Sequence, residues 1–130
     1  MTKPSRLANP ERVYRAVDLA GRTGGADPHA LVTLLYEELI RALATAAWAT
    51  ENRNFKMKSD RVTRAIAILF ALEAGLDFDR GGDVSRTLAT LYSGLRKQVI
   101  DASLGGDPEP FRRVGADLAE IAEAWRSVRV

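Results

Sequence analysis

The stretch Leu76–Tyr92, LDFDRGGDVSRTLATLY, decides how the chain is read. Asp77, Asp79 and Asp83 crowd around Gly81 and Gly82, and a patterned apolar helix follows. Either the aspartates hold a cation, or they turn a corner between two helices. Set against an EF-hand calcium loop, Asp77 at position one puts Asp79 at three and Gly82 at six, as that loop requires. It also puts Gly81 at five, where an oxygen ligand belongs, and Leu88 at twelve, where a bidentate glutamate belongs. Leu88 is needed besides by the apolar stripe of the helix itself. The corner is the better reading: the two glycines permit positive φ at the reversal, and Asp83 caps or electrostatically favours the helix that begins there.

Outward from this corner the chain reads as helices separated by punctuation. Asn9-Pro10-Glu11 opens a short helix that Gly21–Pro28 (GRTGGADP) stops. Asp27-Pro28 starts a long helix running to about Asn52, and a further helix spans about Phe55 to Gly75. The next runs from Asp83 to about Leu104. Asp107-Pro108 opens the last, which ends near Arg129. No segment shows the period-two alternation of a strand. The expectation is all-α: an antiparallel up-down four-helix bundle over residues 27–130. Residues 1–26 form a short N-terminal capping helix and its flexible connector.

The stripes agree with lengthwise packing. Val84, Leu88, Leu91, Leu95 and Val99 share one face; Phe111, Val114, Leu118, Ile121, Trp125 and Val128 share another. On the first long helix Val32, Leu35, Leu39, Leu43 and Ala46 align, whereas Leu34 and Trp48 fall nearly opposite and Ile40 between. On the second, Val62, Ala65, Ile66, Leu69 and Leu76 form the stripe while Ile68 and Phe70 diverge, and on the third Ile100 and Leu104 point away. A bundle helix that is apolar on two faces buries the second against something. The candidates are the N-terminal segment (Val13, Tyr14, Val17), a partner helix, or a second copy of the chain, which would make the free state a homodimer.

Composition narrows the function classes. Apolar residues are 46% and charged residues 28% of the 130, and cysteine is absent, so disulfides, thiolate metal sites and a cysteine nucleophile are excluded. The N-terminus lacks the apolar run of a signal peptide, and no stretch approaches the roughly 18 apolar residues of a membrane span. A cytoplasmic protein without membrane insertion is expected. The pI of about 9.2 invites a nucleic-acid reading. Yet 19 basic residues stand against 17 acidic ones, interspersed and without a recognition motif, so no nucleic acid is expected. His29, the one histidine, has no second ligand at metal spacing and reads as a surface residue. Gly21–Asp27 has neither the lysine nor the spacing of a phosphate loop. Glu37-Glu38 and Glu120/Glu123 read as solvated helix faces. No catalytic residue, metal or cofactor is expected.

Three segments in order, LVTLLYEELIRAL (Leu31–Leu43), LDFDRGGDVSRTLATLY and GGDPEPFRRVGADLAEIAEAW (Gly105–Trp125), resemble the FliS family, the cytosolic export chaperones for bacterial flagellin. The matching positions are Tyr14 in the N-terminal segment, Leu35-Tyr36-Glu37, then Leu76, Asp77, Gly81, Gly82, Asp83, Val84, Leu88, Leu91 and Tyr92, and Trp125 near the end. The family's usual TASPE is here TGGADPH, and the connector between Tyr14 and Tyr36 is longer. The resemblance implies a four-helix bundle that binds the C-terminal segment of flagellin. That segment is disordered until it folds around the chaperone, which prevents premature polymerisation and holds the subunit for the type III flagellar export gate. Face geometry and resemblance together give a candidate partner surface of Leu34, Tyr36, Ile40, Trp48, Ile68, Phe70, Tyr92 and Ile100. Val13, Tyr14 and Val17 form the N-terminal cap. The alternative is a dimeric helical scaffold or regulatory adaptor in which the second apolar faces cover each other.

Overall fold

Each helix starts where an Asp or Asn side chain accepts a backbone N–H that the first helical turn leaves open. In the computed structural model, which describes residues 27–127, Asp27 takes the N–H of His29 to begin α1 (Pro28–Glu51). Asn54 takes that of Met57 to begin α2 (Phe55–Ala74). Asp77 takes those of Asp79 and Arg80 to begin α3 (Phe78–Ser103), and Asp107 takes that of Glu109 to begin α4 (Glu109–Ser127). Proline at the first position of α1 adds a preset φ where no N–H is needed. The expected short N-terminal helix lies outside the described residues.

The helices form an up-down bundle: α1 packs on α2 and α4, and α3 packs on α2 and, least extensively, on α4. Two bonds fix the antiparallel sense of α1 and α4: His29 meets Trp125 at one end, and Arg112 donates to Glu51 at the other. Lys58, at the start of α2, reaches past the end of α3 to donate to the Gly105 carbonyl at 2.7 Å. Leu35, Leu39 and Leu43, Ile68 and Leu69, Leu95 and Val99, and Phe111 and Leu118 fill the interior.

The opening corner is built differently from the expected one. Asp77, not Asp83, is the cap, and the helix begins with one turn before a kink at Gly82, whose φ of 51° and ψ of −122° are closed to most L-residues. Of the two glycines only Gly82 has positive φ. Gly81 serves close approach instead: a Cβ there would fall 1.9 Å from Ser85 Oγ, which donates to the Asp77 carbonyl across the kink. The Asp83 carboxylate pairs with Arg86 on the surface. Asp77 thus caps, Asp83 pairs on the surface, and Asp79 lies in the first turn of α3, where a negative charge suits the helix dipole. Gly82→Ala is expected to destabilise the fold by about 1–2 kcal/mol, read from the urea midpoint; an unchanged midpoint would show that the kink relaxes freely.

Two stripe assignments change with this geometry. Val84 is 67% exposed, because the inward face of α3 runs through Ser85, Tyr92, Leu95, Val99 and Ala102. A small residue is required where the chain doubles back at Gly81, and the size-weighted pattern misses it. On α2, Ile68 is fully buried while Ile66 is only partly so. A helix in a ring touches two neighbours as well as the centre, so its buried arc exceeds one narrow stripe.

Candidate partner-binding site

The end of the bundle where α1 and α3 start and α2 and α4 finish is not filled. Leu31, Val32 and Leu35 of α1, Ala71 and Leu72 of α2, Leu88 of α3 and Trp125 of α4 line a pocket of about 590 Å³. That volume lies within the range of sites that engulf a ligand or side-chain cluster. The lining is apolar except near the corner, where Asp77, Arg80 and Ser85 contribute, and where Tyr36 and Tyr92 meet. The kink keeps the first turn of α3 apart from the rest of the helix, and glycines at 75 and 81 supply no side chain to fill the space.

Tyr36 and Tyr92 hydroxyls lie 2.5 Å apart, buried to 2% exposure each. Burial pushes the Tyr36 phenol above its usual value. It raises Tyr92 further, reinforced by the hydrogen bond to Tyr36. Folded values raised in this direction contribute stability that is complete below the ordinary tyrosine pKa of about 10 and is lost as pH rises beyond it. Thermal midpoints are therefore expected to fall above about pH 10, and to fall less in Tyr92→Phe. Parallel alkaline curves would contradict this account.

One side of the pocket is held by a reciprocal clasp. His29 Nε2 bonds the Trp125 carbonyl at 2.7 Å, Trp125 Nε1 donates to the His29 carbonyl at 3.1 Å, and the rings stack at 4.5 Å. His29 is thus engaged across the bundle and is not the plain surface residue expected. Its partner lies 96 positions away, beyond any local pattern. Glu38 departs likewise from the solvated face assigned to it: it is buried and accepts from Arg64 at 2.7 Å and from Arg41 at 2.6 Å.

The structure divides the expected partner surface. Leu34, Trp48, Phe70 and Ile100 are exposed, each above 40%. Ile40 is partly buried against the core. Tyr36, Ile68 and Tyr92 are not on the outer surface: all three are core residues, and the two tyrosines line the pocket. Their side chains point inward because α1, α2 and α3 each turn those positions toward the ring's centre. Val13, Tyr14 and Val17 lie outside the described residues. Sequence reasoning passed over Phe55 and Phe78, 62% and 47% exposed. Both follow an Asx cap directly, at the first helical position, and that placement was the available signal.

Phe70 lies under the Arg96 guanidinium, 4.0 Å from ring centre, and Arg96 also pairs with Glu73 at 2.5 Å. This turns Arg96 toward α2. Ile100 and Leu104, one and two helical turns onward at i+4 spacing, continue that side of α3. Exposed apolar residues therefore occur at both ends of the bundle as well as at the pocket. Among the described residues no helix is long and apolar enough to cross a membrane, and no group of three potential metal ligands occurs.

Comparison with known proteins agrees with this architecture. The family model described as Flagellar protein FliS matches residues 11–130. The flagellar secretion chaperone FliS of Salmonella typhimurium is 30% identical over 118 residues, covering 90% of this chain and 87% of its own. That of Vibrio cholerae is 27% identical over 90% and 86% of the two chains. FliSB of Pseudomonas aeruginosa is 29% identical over 88% and 91%. With a helical bundle, no strand among the described residues and a family match over nearly its whole length, the chain belongs to the FliS family of flagellar secretion chaperones, a family of chaperones and not of enzymes.

Proposed function

We propose that this protein binds the C-terminal segment of flagellin in the cytoplasm, prevents its premature polymerisation, and holds it for the type III export gate. The observation that carries the reading is the open apolar pocket, on a bundle that also exposes apolar side chains at its far end. A partner that is disordered when free can cover such scattered patches in one extended contact. The ordering it undergoes on binding keeps affinity moderate and release accessible. Amphipathic helices seat apolar anchors in grooves of this kind.

Residues 1–26 join the bundle at Asp27, next to the pocket residue Pro28. We take Val13, Tyr14 and Val17 to occupy the pocket in the free protein and to yield it to the partner, which lowers the apparent affinity by the capped fraction. Titration with a C-terminal flagellin peptide is expected to give a saturable gain of helix by circular dichroism. It should be tighter in a variant lacking residues 1–26. Absence of saturable binding overturns the chaperone reading; unchanged or weaker binding by the shortened variant overturns the cap alone. In the competing reading, a dimeric scaffold, two copies cover each other's apolar faces, and a monomer mass at every concentration excludes it.

A further inference from the structure

The tyrosine pair leaves a proton over. Each phenol carries one O–H, and the 2.5 Å contact between Tyr36 and Tyr92 uses one of the two, whichever residue donates. Among the described residues neither hydroxyl has a second partner. Of the other polar groups lining the pocket, Ser85 Oγ donates to the Asp77 carbonyl and the Asp77 carboxylate accepts from the N–H groups of Asp79 and Arg80, while the Arg80 guanidinium extends into solvent. Both phenols hold their protons at neutral pH, since burial raises both. The floor of the apolar pocket therefore presents one hydrogen-bond donor, away from bulk water.

A plain apolar helix face cannot answer that donor, because its main-chain carbonyls are already used within the helix. A carboxylate would have to shed its hydration to reach the same depth, and Arg80 is too exposed to compensate, at 91% of its side chain. A neutral side-chain oxygen meets both conditions. We propose that the Tyr36–Tyr92 pair is a specificity element, which selects in the partner an amide or hydroxyl side chain (Asn, Gln, Ser or Thr) set among apolar residues on one helical face. This rests on the reading that the partner's segment enters the pocket. It gives two buried tyrosines a role in recognition rather than in packing alone, since a site built to bond a polar group discriminates strongly against ligands lacking it.

The test is a double-mutant cycle between protein and peptide. The probe is the C-terminal flagellin peptide, with each amide or hydroxyl residue of its apolar face replaced in turn by leucine or alanine. It is titrated against the full-length protein and its Tyr36→Phe/Tyr92→Phe variant. One replacement is expected to weaken binding about tenfold on the wild type and to have no effect on the double variant. If all replacements act equally on both proteins, the inference is overturned while the chaperone reading stands. If the wild type binds no peptide, both fall. Should the double variant not fold, the wild-type complex decides, with tyrosine isotope-labelled at Cζ and dissolved in mixed light and heavy water. Slow hydroxyl exchange at both Tyr36 and Tyr92 supports the inference, and fast exchange at either overturns it.

Discussion

Glu38→Ala is expected to destabilise the bundle by about 3–5 kcal/mol, a large share of the 5–15 kcal/mol typical of a domain. The Arg64 side chain is 8% exposed, and its charge is answered by Glu38 at 2.7 Å. Its Nε is buried without a partner among the described residues, so this guanidinium has no reserve of bonds to fall back on. Removing the carboxylate leaves a cation in the interface between α1 and α2. The cost is that of an uncompensated buried charge, which exceeds the worth of the pair itself. Glu38→Leu/Arg64→Met, which removes both charges at similar volume, is therefore expected to recover most of the loss. Urea midpoints at constant m-value measure both variants. A loss under about 1 kcal/mol for Glu38→Ala would show that Arg64 swings out to water.

The second large effect concerns binding. Leu88→Trp places an indole at a half-buried position that lines the pocket. It is expected to weaken flagellin-peptide binding about a hundredfold, equivalent to about 2.7 kcal/mol, while leaving the thermal midpoint unchanged or higher. The opposite signs separate occlusion from misfolding, because a damaged core would lower both. Val84→Trp, at a strongly exposed position outside the pocket lining, serves as the control and should bind normally. Equal affinity of Leu88→Trp and wild type in calorimetric titration would mean that the partner does not enter the pocket.

How far the sequence could be read follows from the range of each interaction. Caps, glycine breaks and helical periodicity act over a few residues, so the four bundle helices, their order and their approximate ends were legible, as were exposed Leu34, Trp48, Phe70 and Ile100. The cap of α3 was misplaced by six residues, from Asp77 to Asp83, because both are aspartates preceding a helical turn. They differ in what their side chains meet: Asp77 accepts the N–H groups of Asp79 and Arg80, whereas Asp83 pairs with Arg86. Ile68 was set off the main stripe of its helix yet is buried, because one stripe per helix understates the arc that a ring of four buries. The clasp of His29 on Trp125 and the Glu38–Arg64 pair join residues 96 and 26 positions apart. No spacing rule links such positions, and only the assembled bundle brings them together.

The clasp between His29 and Trp125 has a practical consequence for handling the protein. It ties the first turn of the bundle to the last, so Asp27 and Ser127 lie at the same end, the one that carries the pocket. A label attached near Asp27 or Ser127 would crowd the site being assayed. The turn around Gly105 and Gly106, at the opposite end, is exposed and offers an attachment point that leaves the pocket clear. With Asp27 and Ser127 at one end, the described bundle also suits circular permutation through that turn, with a short linker joining those two residues.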